Sequence, residues 1–497
     1  GFALKKTVLL LLSWMLMFAL LAACSGGGST NAGNNGASGE NASGNDGGAS
    51  NGASNGTDNN GSNGNNDSAS ADNGLIPDVK GELSILVVLS QLNGADPDLG
   101  GVYDYFKTYY PDLKLKQMDI VHEEYAPEKL TEAIAAGNTP DVFVTVPGDI
   151  PDLIRKDYIM PIDDLLAANP QYVDTLNPAV INMNKVDGKT YGITWMTLPQ
   201  TWMLNTDLFE KMGVPVPTDD WTIDEFIEIN KQLVDKANGI TGSQPDVHSP
   251  WPLFSWLEAY GVKGYKMVDG KPVSNFAEDP NAIKAIEKWI EYAAKSNIAF
   301  TPEELSKFGL TDPWSAYWTK GHVGMVPWSL WGQPYNHDTK SNNFNWTVLR
   351  QPQGPAGRAA IAYGITLAIF PTTEKKDLAM KYIQIVTSKH FYDNALMKDP
   401  TTGNESPLTI RPDDPDLPIG IPAINENFQS TPENQAALDG FVRSMQDAKI
   451  PDYGGYGMPI LNDLSARLVD VAAGNVQIPD LLKQFDEYVN ATYYNAN

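Results

Sequence analysis

The chain has 497 residues, with 35 Lys or Arg against 61 Asp or Glu, a net charge of −26 at pH 7. A surface this acidic repels nucleic acid and anionic lipid headgroups, so neither is an expected partner. Cys24 is the sole cysteine, which excludes an intramolecular disulfide framework and any zinc site built on cysteines.

Lys5 and Lys6 form a positive start and Thr7 to Leu20 an apolar run. Leu21-Ala22-Ala23-Cys24 then supplies small residues where a secretory signal is cut. An uncleaved anchor is the weaker reading, because about 17 apolar residues barely reach the lower limit for crossing a bilayer. Ser25 to Gly74 contains only Gly, Ser, Asn, Ala, Thr, Asp and Glu. Nothing there can bury apolar area and offset the entropy of ordering, so residues 25–80 are expected to be a disordered tether. A Gly-rich coil of that length spans about 40 Å. Two G-x-S-x-G matches, Gly48 to Gly52 and Gly52 to Gly56, fall inside it, far from any strand-to-helix elbow that could make a serine nucleophile, and are products of composition.

From Gly81 the pattern becomes that of a folded chain. Leu83 to Leu89 is a nearly continuous apolar run, as in a strand covered on both faces. Tyr103 to Tyr110 reads as a helix stopped by Pro111, and Leu113 to Ile120 as a second strand. Pro127 to Ala136 reads as a helix closed by Gly137, followed by a strand from Asp141 to Val146. Such alternation predicts an open parallel α/β sheet, whose ligands bind beyond the strand C-termini. Those ends carry Gln91, Asn93 and Asp149.

The middle of the chain is more helical. Thr222 and Glu225 fit a capping box, with Phe226, Ile229 and Leu233 on one face. Asn281 to Ala294 is a further amphipathic helix. Ile361 to Phe370 reads as a strand, Lys376 to Thr387 as a helix, and helices from Pro459 and over Leu481 to Val489 close the chain.

Several stretches, in order, resemble the carbohydrate-binding family of extracellular solute-binding proteins of ABC importers that includes maltose-binding protein. They are Ala135 to Val142, Tyr158 to Ile162, Tyr191 to Ile193, Leu204 to Phe209, Pro217 to Phe226, Gly321 to Met325 and Gln353 to Gly357. Thr194, where many relatives have proline, and Gly324, where alanine is common, depart from the pattern. The resemblance implies an α/β, two-lobed periplasmic-binding-protein-like fold with a hinge and an interlobe cleft. It implies lobe 1 at residues 81–195 and 346–395 and lobe 2 at 196–345 and 396–497, with passages near Trp195 to Pro199 and Trp346 to Gln353. It also makes Leu21 to Cys24 a lipobox, with Cys24 lipidated on the outer face of the cytoplasmic membrane. The implied partners are a sugar or oligosaccharide and the transmembrane subunits of an ABC permease. No cofactor and no metal are expected, and the chain is expected to be a monomer.

Eleven of the twelve tryptophans lie beyond the signal segment. Sugar rings offer apolar C–H faces that suit an indole and hydroxyl rims that suit short polar side chains. Trp221 and Trp289, on apolar helical positions, read as core. Trp331, Trp251, Trp195 and Trp328 are the candidate ligand contacts, Trp331 because relatives place a stacking tryptophan there, together with Asp149, Gln91 and Asn93. A glycosidase needs two carboxylates about 5–9.5 Å apart on a supporting scaffold, and the order of elements offers no such scaffold. No two of the five histidines stand at H-x-x-x-H spacing. The expectation is a receptor and not an enzyme. A receptor for a peptide or polyamine is the alternative, and a secreted glycoside hydrolase a more remote one.

Overall fold

A computed structural model describes residues 74–86, 102–117, 127–197, 200–310, 320–328, 344–362, 364–398, 405–407, 439–440 and 442–495. The signal segment, Cys24 and the tether up to residue 73 lie outside the described residues. Among the described residues no helix is long and apolar enough to cross a membrane.

The alternation expected after Gly81 is present. Strand β1 (Gly81–Leu86) leads to helix α1 (Val102–Tyr109), β2 (Leu113–Gln117), α2 (Pro127–Ala135) and β3 (Val142–Thr145). Gly137 closes α2 at φ +74°; its N–H bonds to Ile134 O, and that of Asn138 to Ala133 O. Only a residue tolerant of the left-handed region makes this double closure without strain. A single 3₁₀ turn, Pro147–Asp149, then leads into α3 (Ile150–Arg155).

Further along come β4 (Ile193–Thr197), β5 (Thr201–Asn205), α4 (Ile223–Gln232), α5 (Pro250–Ala259) and α6 (Pro280–Ile290). After these stand β6 (Met325–Trp328), β7 (Trp346–Leu349), β8 (Ala360–Ile361), β9 (Gly364–Ile369) and α7 (Lys376–Val386). The chain ends with β10 (Ala448–Lys449), α8 (Gly457–Ala472) and α9 (Ile478–Val489). Helix α8 starts two residues before Pro459, which sits in its first turn, where a missing N–H costs nothing.

The first lobe is a five-stranded sheet in the order β2-β1-β3-β9-β4. Strands β1, β2 and β3 run parallel, and β9 runs antiparallel to both β3 and β4. Leu83, Ile85, Val142 and Ile369 enter one buried cluster with Phe106, Tyr382 and Ile383. Leu86, Phe143, Ala368 and Phe370 enter another with Ile150 and Leu153. The sheet is thus covered on both faces, which is why its strands read as apolar runs.

The second lobe is built on the antiparallel strands β6-β5-β7 and on helices α4, α5, α6, α8 and α9. Its centre is aromatic: Trp202 and Phe226 lie 4.6 Å apart, and Trp256 stands edge-on to Trp289 at 5.4 Å. Trp221 and Trp289, read as core, are buried, and the Thr222–Glu225 capping box forms in both directions. Gly324 packs against Leu233, and a methyl added there would stand 2.7 Å from Leu233 Cδ1, so an alanine would require that leucine to move.

One expected strand is broken. Ile361 to Phe370 reads as continuous, yet Ala360 and Ile361 pair in parallel with Ala448 and Lys449 while Gly364 to Ile369 joins the large sheet. The break falls where the chain changes core: Ile361 is buried in the second-lobe cluster and Ala362 in the first. The return passage lies further on, since Ile450 packs on the first-lobe clusters and Tyr453 is buried in the second.

Thr194 has a place in this architecture. Its hydroxyl accepts from Asn184 Nδ2 at 2.8 Å and lies 3.1 Å from the Thr366 hydroxyl, which donates to Asn184 Oδ1 at 2.8 Å. All three residues are buried, and Asn184 Nδ2 also reaches Val180 O. The ring of bonds leaves no buried polar atom of the triad unmet, as a buried network requires.

Candidate ligand cleft at the strand ends

The strand register brings several predicted site residues to one edge. Thr145 at the end of β3 pairs with Thr366, and Thr366 pairs with Thr194 on β4. Ile365 then pairs with Met196, so Trp195 is an extra residue in β4, a bulge. Bulges re-aim the chain and gather at sheet ends and sites. After the passage to the second lobe, Thr201 at the start of β5 pairs with Trp328 at the end of β6. Asp149, four residues beyond Thr145, is the half-buried N-cap position of α3 and makes no side-chain capping bond there.

Asp149 thus follows β3, Trp195 is the bulged residue of β4 just before the chain leaves the first lobe, and Trp328 ends β6 opposite the first residue of β5. The side chains of Trp195 and Trp328 lie outside the described residues, as do Trp331, Gln91 and Asn93 entirely. Trp251 stands in the first turn of α5, half-buried against the second-lobe core. The opposite end of α5 meets the segment that leads to the second passage, where Ala356 N–H donates to Ala259 O at 2.8 Å.

The second-lobe segments that follow the first passage and lead to the second are tied to one another. Trp202 Nε1 donates to Gln351 Oε1, Gln351 Nε2 to Gln200 O at 3.0 Å, and Trp221 Nε1 to Arg350 O at 2.9 Å. The Arg350 guanidinium grips Asp447 on the approach to the third passage, with Nε 2.7 Å from Oδ2. This bond to Asp447 pushes the Arg350 guanidinium up from its ordinary value. Arg443 holds Asp219, which also receives the Arg350 N–H. Arg350 and Gln351 fall within the passage expected at Trp346 to Gln353, whereas Trp202 and Asp447 were not expected near a passage from sequence.

Among the described residues this arrangement is a fold of two α/β lobes between whose cores the chain passes three times. It is the architecture of a two-lobed binding protein. The chain belongs to the bacterial extracellular solute-binding protein family, whose pattern its residues 96–390 match. A binding protein of Brucella abortus (strain 2308) is 22% identical over 291 residues, which are 57% of this chain and 67% of that protein. Among solved structures, an ABC substrate-binding protein of Listeria monocytogenes in complex with cycloalternan superposes with a TM-score of 0.58. It shares 19% identity and covers 83% of this chain and 99% of its own. The sugar-binding protein MalE of Xanthomonas citri has a TM-score of 0.59 at 18% identity, covering 82% and 96%. The two-lobed periplasmic-binding-protein fold is common to this chain and these two structures.

Proposed function

We propose that this chain is the substrate-binding lipoprotein of an ABC importer, which captures a sugar or oligosaccharide between its lobes and delivers it to a membrane permease. The observation that supports the proposal is the two-lobed fold, in which Asp149 follows β3, Trp195 bulges from β4 just before the first passage, and Trp328 ends the strand that pairs with the start of β5 just after it. Structural relatives with the same fold bind cycloalternan or are sugar-binding proteins by name, which supports the ligand class.

In this reading Trp331, Trp251, Trp195 and Trp328 supply ring-face contacts, and Asp149, Gln91 and Asn93 supply hydrogen bonds to hydroxyls. The receptor works as a monomer without cofactor or metal and performs no chemistry on its ligand. Cys24 carries the lipid that holds the head at the outer face of the cytoplasmic membrane. Core packing supports lobe boundaries with the second passage at 361–362 and the third at 450–453, in place of 346–353 and 395–396.

The test is a thermal-shift screen of mono- and oligosaccharides followed by an assay for new reducing ends. A sugar that raises the melting temperature without being cleaved is the expected result. Cleavage would establish a hydrolase, and a shift produced only by peptides or polyamines would move the proposal to another solute class.

A further inference from the structure

The third passage carries an unusual backbone. Tyr453, Gly454 and Gly455 stand at φ +44°, +68° and +91°, three consecutive residues in the left-handed half of φ space. For a residue as bulky as tyrosine this conformation is strained and persists only where the surroundings over-determine it. Those surroundings belong to the second lobe. Tyr453 is buried beside Phe276, its ring centroid 5.8 Å away, and its carbonyl accepts from Tyr494 Oη at 2.8 Å. Asp452 accepts from Gly455 N–H at 3.0 Å and from Tyr265 Oη at 2.9 Å. The Tyr453 hydroxyl itself is buried without a hydrogen-bond partner.

What this turn achieves is the placement of the next residues against the first lobe. The Arg155 guanidinium, at the end of α3, lies 4.3 Å above the Tyr456 ring. Tyr456 is in turn backed by Tyr493 and Tyr494, at 5.2 and 5.9 Å. At the other end of the same first-lobe segment, Gly148 lies so close to Met458 that an added methyl would stand 3.1 Å from Met458 Cγ. Gly148 is the immediate neighbour of Asp149. The loop with the candidate cleft carboxylate and the chain that returns through the hinge therefore touch at two points, on either side of Asp149.

We infer that Arg155 and Tyr456, with Gly148 and Met458, form an interlobe latch, and that the left-handed turn Tyr453–Gly455 is the rigid arm that holds Tyr456 in place. Arg155 and Tyr456 are positioning residues: they act on the cleft by fixing the Pro147–Asp149 turn against α8. A ligand group that draws Asp149 toward the cleft then pulls directly on the third passage. The inference rests on the two-lobed binding reading but not on the identity of the ligand.

The test is amide hydrogen exchange on the full chain without added ligand, read on peptides covering 147–155 and 451–458. A partly exposed cation–π contact contributes enough to change an opening equilibrium about two- to fivefold. Tyr456→Leu should therefore speed exchange of the 147–155 peptide by about that factor, and Arg155→Leu should speed the 451–458 peptide equally, while peptides of β1 to β3 stay unchanged. The double variant should add little to either single one. Gly148→Ala, which displaces Met458 without touching Arg155, should produce the same cross-lobe effect. Faster exchange confined to the substituted lobe, or additive effects in the double variant, would overturn the latch. Since no sugar is added, a failed ligand screen leaves this measurement decisive.

Discussion

The Trp202 indole N–H donates to Gln351 Oε1 at 3.0 Å, joining the second-lobe segment that follows the first passage to the one that leads to the second, and each residue is only 1% exposed. The carboxamide is satisfied at both ends, since its nitrogen reaches Gln200 O. Gln351→Leu would strand an indole N–H and a carbonyl in an apolar setting. A loss of about 2–4 kcal/mol is expected, at about 1–3 kcal/mol per orphaned group. Urea midpoints at constant slope check it, and a change of a few tenths would mean that water enters the hinge.

The Asn184–Thr194–Thr366 ring makes a second stability prediction. Thr366→Val removes the donor to Asn184 Oδ1 and the neighbour of Thr194, and should cost about 1–3 kcal/mol. Thr194→Val should cost a similar amount, and the double variant clearly less than their sum, because both break one network. Full additivity in denaturant melts would show that the three side chains act independently.

At the cleft, Trp331→Ala should weaken binding of a sugar found in the screen by about 5- to 150-fold while leaving the head folded. Trp221→Ala should do the reverse. Trp221 is 2% exposed and its indole N–H holds Arg350 O, so truncation should cost about 3–5 kcal/mol with little direct effect on affinity. Calorimetric titration and denaturant midpoints on both variants decide it. A Trp331→Ala protein that binds normally but melts early would transfer the stacking role to Trp251 and Trp195.

How far the sequence could be read follows from which interactions are local. Gly137, the Thr222–Glu225 box and the apolar strands near Leu83 and Val142 announce themselves within a few residues, because a left-handed cap, an N-terminal box and two-sided burial each need a fixed local composition. The Arg350–Asp447 grip joins residues 97 apart in the chain, and nothing near either one marks the other. The same holds for Arg155 and Tyr456. The split between Ile361 and Gly364 was hidden because both halves are equally apolar: the two pieces differ in their pairing partners and not in their residues. The position of Asp149 in the turn just beyond β3 was legible because an apolar run followed by Pro147-Gly148 marks a strand end.

Glu304 supplies a pH prediction. It receives the Thr301 N–H at 2.8 Å in a second capping box, and that bond, ahead of nearby Lys236, holds its carboxyl below the ordinary value despite some desolvation. A folded value below the unfolded one means that the unfolded chain takes up the proton more readily. The contribution is therefore complete above the unfolded value of about 4.3 and fades as pH falls through the lower folded one. The difference in urea midpoint between the wild type and Glu304→Gln should be largest near about pH 7 and shrink toward about pH 3. A difference independent of pH would show that the carboxylate charge plays no part in the box.

Cys24→Ala should release the protein from membranes without changing its melting temperature, because the head begins some fifty residues further on. Fractionation and alkaline washing check it. A variant that stays bound through the wash would favour the apolar run Thr7 to Leu20 as the anchor.

Two of the three links between the lobes run side by side as β8 and β10, joined by Ala360 N–H to Asp447 O at 2.9 Å and Ala362 N–H to Lys449 O at 2.7 Å. A two-stranded ribbon bends readily out of its plane, but sliding one strand along the other breaks both bonds together. The linkage thus works as a leaf spring with one soft direction: the lobes can swing but cannot shear. If the lobes swing as the proposed function requires, this ribbon would keep their lateral alignment while letting the angle between them vary.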